Sequence, residues 1–133
     1  HGGNTFKSMI RDLSLDYPDF LIASSEWFAF VPAKEYFDEP GDHADELETS
    51  VMMHYHPELV NLDEAGNGDY KKFTSQMLNE KVAWIPRNWQ KVSQDTGIGN
   101  PKKASAGKGK KYAEAVVAKY ALLFEELVHK ELY

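Results

Sequence analysis

Phe20-Leu21-Ile22-Ala23 and Trp27-Phe28-Ala29-Phe30, separated by Ser24-Ser25-Glu26, carry the reading of the fold. Neither run alternates apolar with polar residues, so both suit strands covered on two faces, as in parallel sheets. The longest apolar stretch, Trp27–Val31, is bounded by Glu26 and Pro32. It falls far short of the ~18 residues a membrane span requires, so no membrane partner is expected.

Upstream of these runs, Phe6, Met9, Ile10 and Leu13 recur at helical spacing, with Asn4 or Thr5 placed to cap the helix and Pro18 behind it. Downstream, a loop runs from Pro32 to His43. A second helix is predicted to start near Ala44–Glu48 and to continue through Val51, Met52 and Tyr55 until Pro57. Residues 61–71 are dense in turn formers and read as a surface loop. Val82–Ile85 is a further strand candidate, ended by Pro86. Gly97, Gly99 and Pro101 mark an irregular segment before a last helix, about Ser105 to Leu132, with Tyr112, Val116, Tyr120, Leu123 and Leu127 on one face.

Helix, strand, helix, strand, helix is the pattern of α/β layering. Two or three strands make a thin sheet for an independent domain, so residues 1–133 read as the C-terminal portion of a single α/β domain. The opening His1-Gly2-Gly3-Asn4 has neither an initiator Met nor a basic leader, which fits a fragment or a processed product.

Composition narrows the function classes. The 133 residues are 42% hydrophobic and 13% aromatic, which is enough to build a core and argues against disorder. A net charge of −6 repels a phosphate backbone, so no nucleic-acid partner is expected. The absence of cysteine excludes disulfides, thiolate metal sites and a cysteine nucleophile, and it fits a cytoplasmic location.

Seven acids fall between Glu35 and Glu48: Glu35, Asp38, Glu39, Asp42, Asp45, Glu46 and Glu48. They read either as a solvated acidic loop or as oxygen ligands for a divalent cation. Within this segment, His43 in the loop and Glu48 one turn into the helix could face one pocket. His1 is a second candidate, since a neutral imidazole is a common metal ligand and the following glycines allow close backbone approach.

His1-Gly2-Gly3-Asn4 resembles the Asn-Gly-His-Gly-Gly-Asn motif of the creatininase family. The stretch from Asp42 through Met53, followed by Pro57-Glu58-Leu59-Val60, resembles that family's His-Ala-Gly-x-x-Glu-Thr-Ser signature and its Pro-x-Leu-Val continuation. Gly97-Ile98-Gly99-Asn100-Pro101-Lys102-Lys103-Ala104 is similar to its Gly-x-x-Gly-Asp-Pro-x-x-Ala segment, and Gly109 matches a glycine near the start of the last helix.

The resemblance implies a three-layer αβα fold with a mostly parallel sheet, present here as its C-terminal part. It implies a metal-dependent amidohydrolase that cleaves the C–N bond of a small cyclic amide or formamide with two divalent ions (Zn, Mn or Fe). His1 matches a metal-coordinating histidine, and His43 the histidine that transfers a proton near the substrate. Glu48 matches a carboxylate assigned as metal ligand or catalytic group. The remaining ligands are expected N-terminal to His1, so the chain alone is expected to be inactive. A homo-oligomer, hexameric by resemblance, is the expected assembly.

Three departures bear on the substrate. Gly3 stands where creatinine-hydrolysing members carry a metal-binding glutamate, Glu39-Pro40 where they carry a Trp-Asp pair, and Asp45 where a glycine is usual. Creatinine is therefore not the expected substrate. The alternative is a noncatalytic, oligomer-forming module of the same fold with a degenerate metal site.

Other features read as structural. His54 and His56 end a helix, where residues two apart do not share a face. The lysine-rich run from Pro101 to Lys111 lacks the spacing of a phosphate-binding loop and reads as a solvated basic segment. Trp84 and Trp89, flanking Pro86-Arg87, are expected in the core, with pocket lining as the alternative. Ser24 and Ser25 sit in no Gly-x-Ser-x-Gly elbow and are not nucleophile candidates.

Overall fold

The structure, a computed structural model, describes residues 5–129 and residue 131. The chain divides into two compact units, His1–Phe30 and Val31–Tyr133. In the first, the Phe6/Met9/Ile10/Leu13 spacing is realised as α1, Lys7–Asp16, and Thr5 Oγ1 accepts from the Lys7 N–H at 3.5 Å. No residue of α1 is fully buried, and Phe6 and Met9 are exposed. Trp27–Ala29 is one turn of 3₁₀ helix, its Trp27 and Phe28 rings meeting edge to face at 6.1 Å.

The second unit is built on α2 (Glu46–Tyr55), two short helices, α3 (Gln76–Asn79) and α4 (Trp89–Val92), and the long α5 (Ala106–His129). Its core is the crossing of α2 on α5. Gly109 lies so close to α2 that a Cβ there would overlap the Ser50 carbonyl. Ser50 is fully buried, and its Oγ accepts from the Ser105 N–H at 3.1 Å. Tyr112, Ala113 and Val116 of α5 and Leu47 of α2 are buried in the same core. Phe37 and Tyr36 pack on Tyr112 at 5.2 and 5.3 Å between ring centroids. The helical face read from Tyr112, Val116, Tyr120, Leu123 and Leu127 is thus real, completely buried at its first two positions and half-buried at the others.

The expected sheet is absent from the described residues. Neither Phe20–Ala23, Trp27–Phe30 nor Val82–Ile85 is a strand, and the only β pairings among the described residues are two isolated bridges, His43 with Ile98 and Tyr70 with Ser93. A three-layer αβα arrangement with a mostly parallel sheet is therefore not what this chain shows. The physical reason lies in the pairing requirement: an apolar run becomes a strand only where a second run lies alongside to exchange backbone hydrogen bonds. Among the described residues these segments have no such neighbour. Phe20, Leu21, Val82 and Trp84 are exposed, Trp84 to 83%. Trp84 is accordingly not a core residue. No helix of the described residues is long and apolar enough to cross a membrane.

Candidate functional site

Asp45 starts α2 for a local reason. Its Oδ1 accepts from the Glu48 N–H at 2.9 Å, which satisfies one of the donors a helix N-terminus leaves open, while Oδ2 accepts from the Gly41 N–H at 2.5 Å. Glu48 reaches back in turn, its Oε2 accepting from the Ala44 N–H at 2.7 Å. This reciprocal arrangement is close to a capping box. It turns the chain so sharply that Ala44 takes φ +48°, a left-handed conformation that costs an L-residue roughly 1–2 kcal/mol.

That turn brings His43 and Glu48 together. The His43 Nδ1 stands 3.6 Å from Glu48 Oε2, an ion-pair separation longer than a hydrogen bond, with both side chains about one-third exposed or less. The His43 backbone is held independently, because it exchanges hydrogen bonds with Ile98 at 3.0 and 2.8 Å. Gly99, at φ +120°, lets that second segment come close; a Cβ there would lie 2.8 Å from the Asp45 Cβ and 2.9 Å from the Gly41 Cα. The sequence motif around Gly97-Ile98-Gly99 is therefore the backbone brace of the His43 loop.

His43 also packs on Trp89, with ring centroids 5.0 Å apart. Arg87 lies over the Trp89 ring at 5.5 Å and forks onto Asp42, with Nη1 to Oδ1 at 2.5 Å and Nη2 to Oδ2 at 2.6 Å. The guanidinium holds the Asp42 carboxyl below the usual carboxylate range, chiefly through these hydrogen bonds. Sequence reasoning did not find Arg87, since nothing in its local spacing announces a partner 45 positions away. Trp89 is found beside the candidate histidine.

The acidic segment is largely consumed by internal bonds. Asp42 pairs with Arg87, Asp45 caps α2, and Asp38, Glu39 and Glu46 meet Lys108 and Lys103. The lysine-rich run is thus the counter-charge of the acidic loop as well as a solvated segment. His56 pairs with Glu58 at 3.2 Å on the surface, and His54 packs on Tyr55.

Among the described residues no three His, Asp or Glu side chains converge into a group that could hold a metal ion. His43 and Glu48 are two donors, and His1 lies outside the described residues. The donor set in view does not by itself fit the two-ion centre that the resemblance implies. Beside the pair, Glu48, Thr49 and Met52 of α2 face Leu59–Leu62 and Gly97 and Gly99 across an open cleft of about 420 Å³. Glu48 therefore borders both the histidine and the cleft.

Comparisons with known proteins point one way. Residues 1–124 match the family described as "Creatininase: Creatinine amidohydrolase". The chain is similar over 100% of its length to a Bacteroides fragilis NCTC 9343 protein whose crystal structure is described as that of a "Putative creatinine amidohydrolase". The two are 60% identical with a TM-score of 0.93, and the match covers 53% of that protein, so this chain spans about half its length. No match is found among curated proteins. The His43–Glu48 turn, its Gly-Ile-Gly brace and the glycine at the α2–α5 crossing are thus features of a chain that belongs to the creatininase family.

Proposed function

We propose that this chain carries the proton-transferring part of an amidohydrolase that cleaves the C–N bond of a small cyclic amide or formamide. The observation that supports the reading is the His43–Glu48 pair, 3.6 Å apart, of which Glu48 lines the cleft. In amide hydrolysis, water adds to the carbonyl carbon, and the departing nitrogen leaves only when it receives a proton. His43 takes a proton from the attacking water and returns it to that nitrogen. Glu48, with Oε2 3.6 Å from Nδ1, steadies the imidazolium through its charge, which leaves Nε2 as the transferring atom.

Two divalent ions would supply the activation of the water, with His1 and Glu48 as this chain's donors. Because the described donors do not complete such a centre, no step is assigned through it. A homo-oligomer acting on a small-molecule amide in the cytoplasm completes the proposal.

The test joins this chain to the half of the Bacteroides fragilis protein that it does not match. Cyclic amides and formamides are then assayed with added Zn²⁺, Mn²⁺ or Fe²⁺. Hydrolysis by the chimaera, with little or none from the 133-residue chain alone, is the expected result. No hydrolysis of either class by a folded, metal-loaded chimaera overturns the reading.

A further inference from the structure

We propose that Arg87 and Trp89 are positioning residues for His43, acting together as a two-point clamp on the Asp42–His43 dipeptide. The proposal deepens the reading of His43 as a proton-transfer group and rests on it for its functional meaning. Its geometry stands without that reading.

The two segments meet at two points. Arg87 grips Asp42 through two parallel hydrogen bonds of 2.5 and 2.6 Å, and two residues later Trp89 packs on the His43 ring at 5.0 Å. Arg87 also lies over the Trp89 ring at 5.5 Å, so one guanidinium fixes both jaws at once. A bidentate Arg–carboxylate fork sets orientation as well as distance, which a lysine cannot do. The indole, tilted 53° to the imidazole, is held in turn by a cation–π contact.

Neighbouring features bear on the same residue. The backbone of His43 is pinned separately, by its bridge to Ile98. Glu48 Oε2 stands 3.6 Å from Nδ1 of the same ring. Trp89 packs against the ring at a tilt of 53° and so limits the orientations in which Nδ1 faces Glu48. The segment from residue 80 to 88 has no regular structure, and α4 is a single turn. The Arg87–Asp42 fork is what ties that segment to the site loop.

The experiment follows the His43 ring by NMR in the full chain with ¹³C-labelled histidine. The signal is assigned among the five histidines by its loss in His43→Gln. In the native protein the ring protons should be shifted upfield by the indole and show nuclear Overhauser contacts to Trp89. Trp89→Leu should abolish the shift, and Trp89→Phe should keep part of it. Arg87→Ala should weaken it, and Arg87→Lys should not restore it fully. In the chimaera described above, Arg87→Ala should lower kcat with KM little changed, because the ring is present but no longer held.

An unshifted His43 signal in the native protein, with no contact to Trp89, overturns the clamp even if no variant folds. So does a His43 signal indifferent to both Arg87→Ala and Trp89→Leu in folded variants. Loss of the clamp signature in a chimaera that hydrolyses amides, with kcat unaltered, overturns the positioning role alone. A chimaera without hydrolase activity counts against the proposed reaction, while the ring shift and its Trp89 contacts still decide the clamp.

Discussion

Glu46, at the first position of α2, is completely buried and meets the ammonium of Lys108 near the start of α5. Its other oxygen accepts from the Glu39 N–H at 2.7 Å, while Lys108 also bonds Asp38 at 2.8 Å. One ion pair therefore joins the two helices and the loop that leads to His43. A buried carboxylate tolerates its loss of water only because these donors replace it.

Removing the cation should be far worse than removing an exposed one. Lys108→Met leaves Glu46 buried without its counter-ion, whereas Lys103→Met breaks only the surface pair with Glu39. Thermal unfolding should show a clearly larger fall in Tm for Lys108→Met. Equal effects would mean that the buried pair contributes no more than the exposed one.

The two glycines at the start of α5 should respond oppositely to alanine. Gly109→Ala forces a Cβ into the Ser50 carbonyl and pushes α5 off α2, an overpacking expected to cost about 1–3 kcal/mol. Nothing lies within 4 Å of a Cβ at Gly107, so Gly107→Ala should be neutral or stabilise by roughly 0.5 kcal/mol through helix propensity. Urea denaturation of both variants checks the contrast.

Ala44 is the strained residue of the site loop, at φ +48°. Ala44→Gly relieves the strain at some cost in unfolded-chain entropy, so stability should hold or rise by up to about 1 kcal/mol. A β-branched residue adopts this conformation far less readily, and Ala44→Val should lower the urea midpoint. A loss on Ala44→Gly comparable with that of Ala44→Val would contradict the strain argument.

Acid should loosen the Asp42–Arg87 fork in a definite window. The folded-state pKa of Asp42 lies below its unfolded value of about 3.9, so the pair contributes stability above that pH and loses it as pH falls through the folded value. Both side chains are partly exposed, so the contribution is modest. The stability difference between native protein and Arg87→Ala should be constant at neutral pH and shrink below about pH 4. A difference independent of pH would show that the fork is not what Arg87 contributes.

His43 carries the largest functional prediction. In the active chimaera, His43→Gln should lower kcat by about 10²–10⁴, the usual contribution of a positioned acid–base group. Stability should change little, because the backbone bridge to Ile98 does not depend on the side chain. Turnover unaltered by the substitution would remove the proton-transfer assignment.

Much of this was legible in local sequence. The spacing of Phe6, Met9, Ile10 and Leu13 marked α1, Pro57 ended α2 as expected, and Tyr112 and Val116 named the buried face of α5. The three motifs marked the family, and the interval between His43 and Glu48 marked the pair, because capping geometry operates within a single turn of chain. What local sequence could not decide was anything that needs a distant partner. Phe20–Ala23 and Val82–Ile85 have strand composition, but composition does not supply the neighbouring backbone a strand must bond to, and among the described residues none is present. For the same reason the acids between Glu35 and Glu48 could not be sorted into ligands and counter-ions until Lys103, Lys108 and Arg87 were seen beside them. Arg87 meets Asp42 across 45 positions. Hydrogen bonds and ion pairs depend on separation in space, and only the tertiary structure brings those separations down to bonding distance.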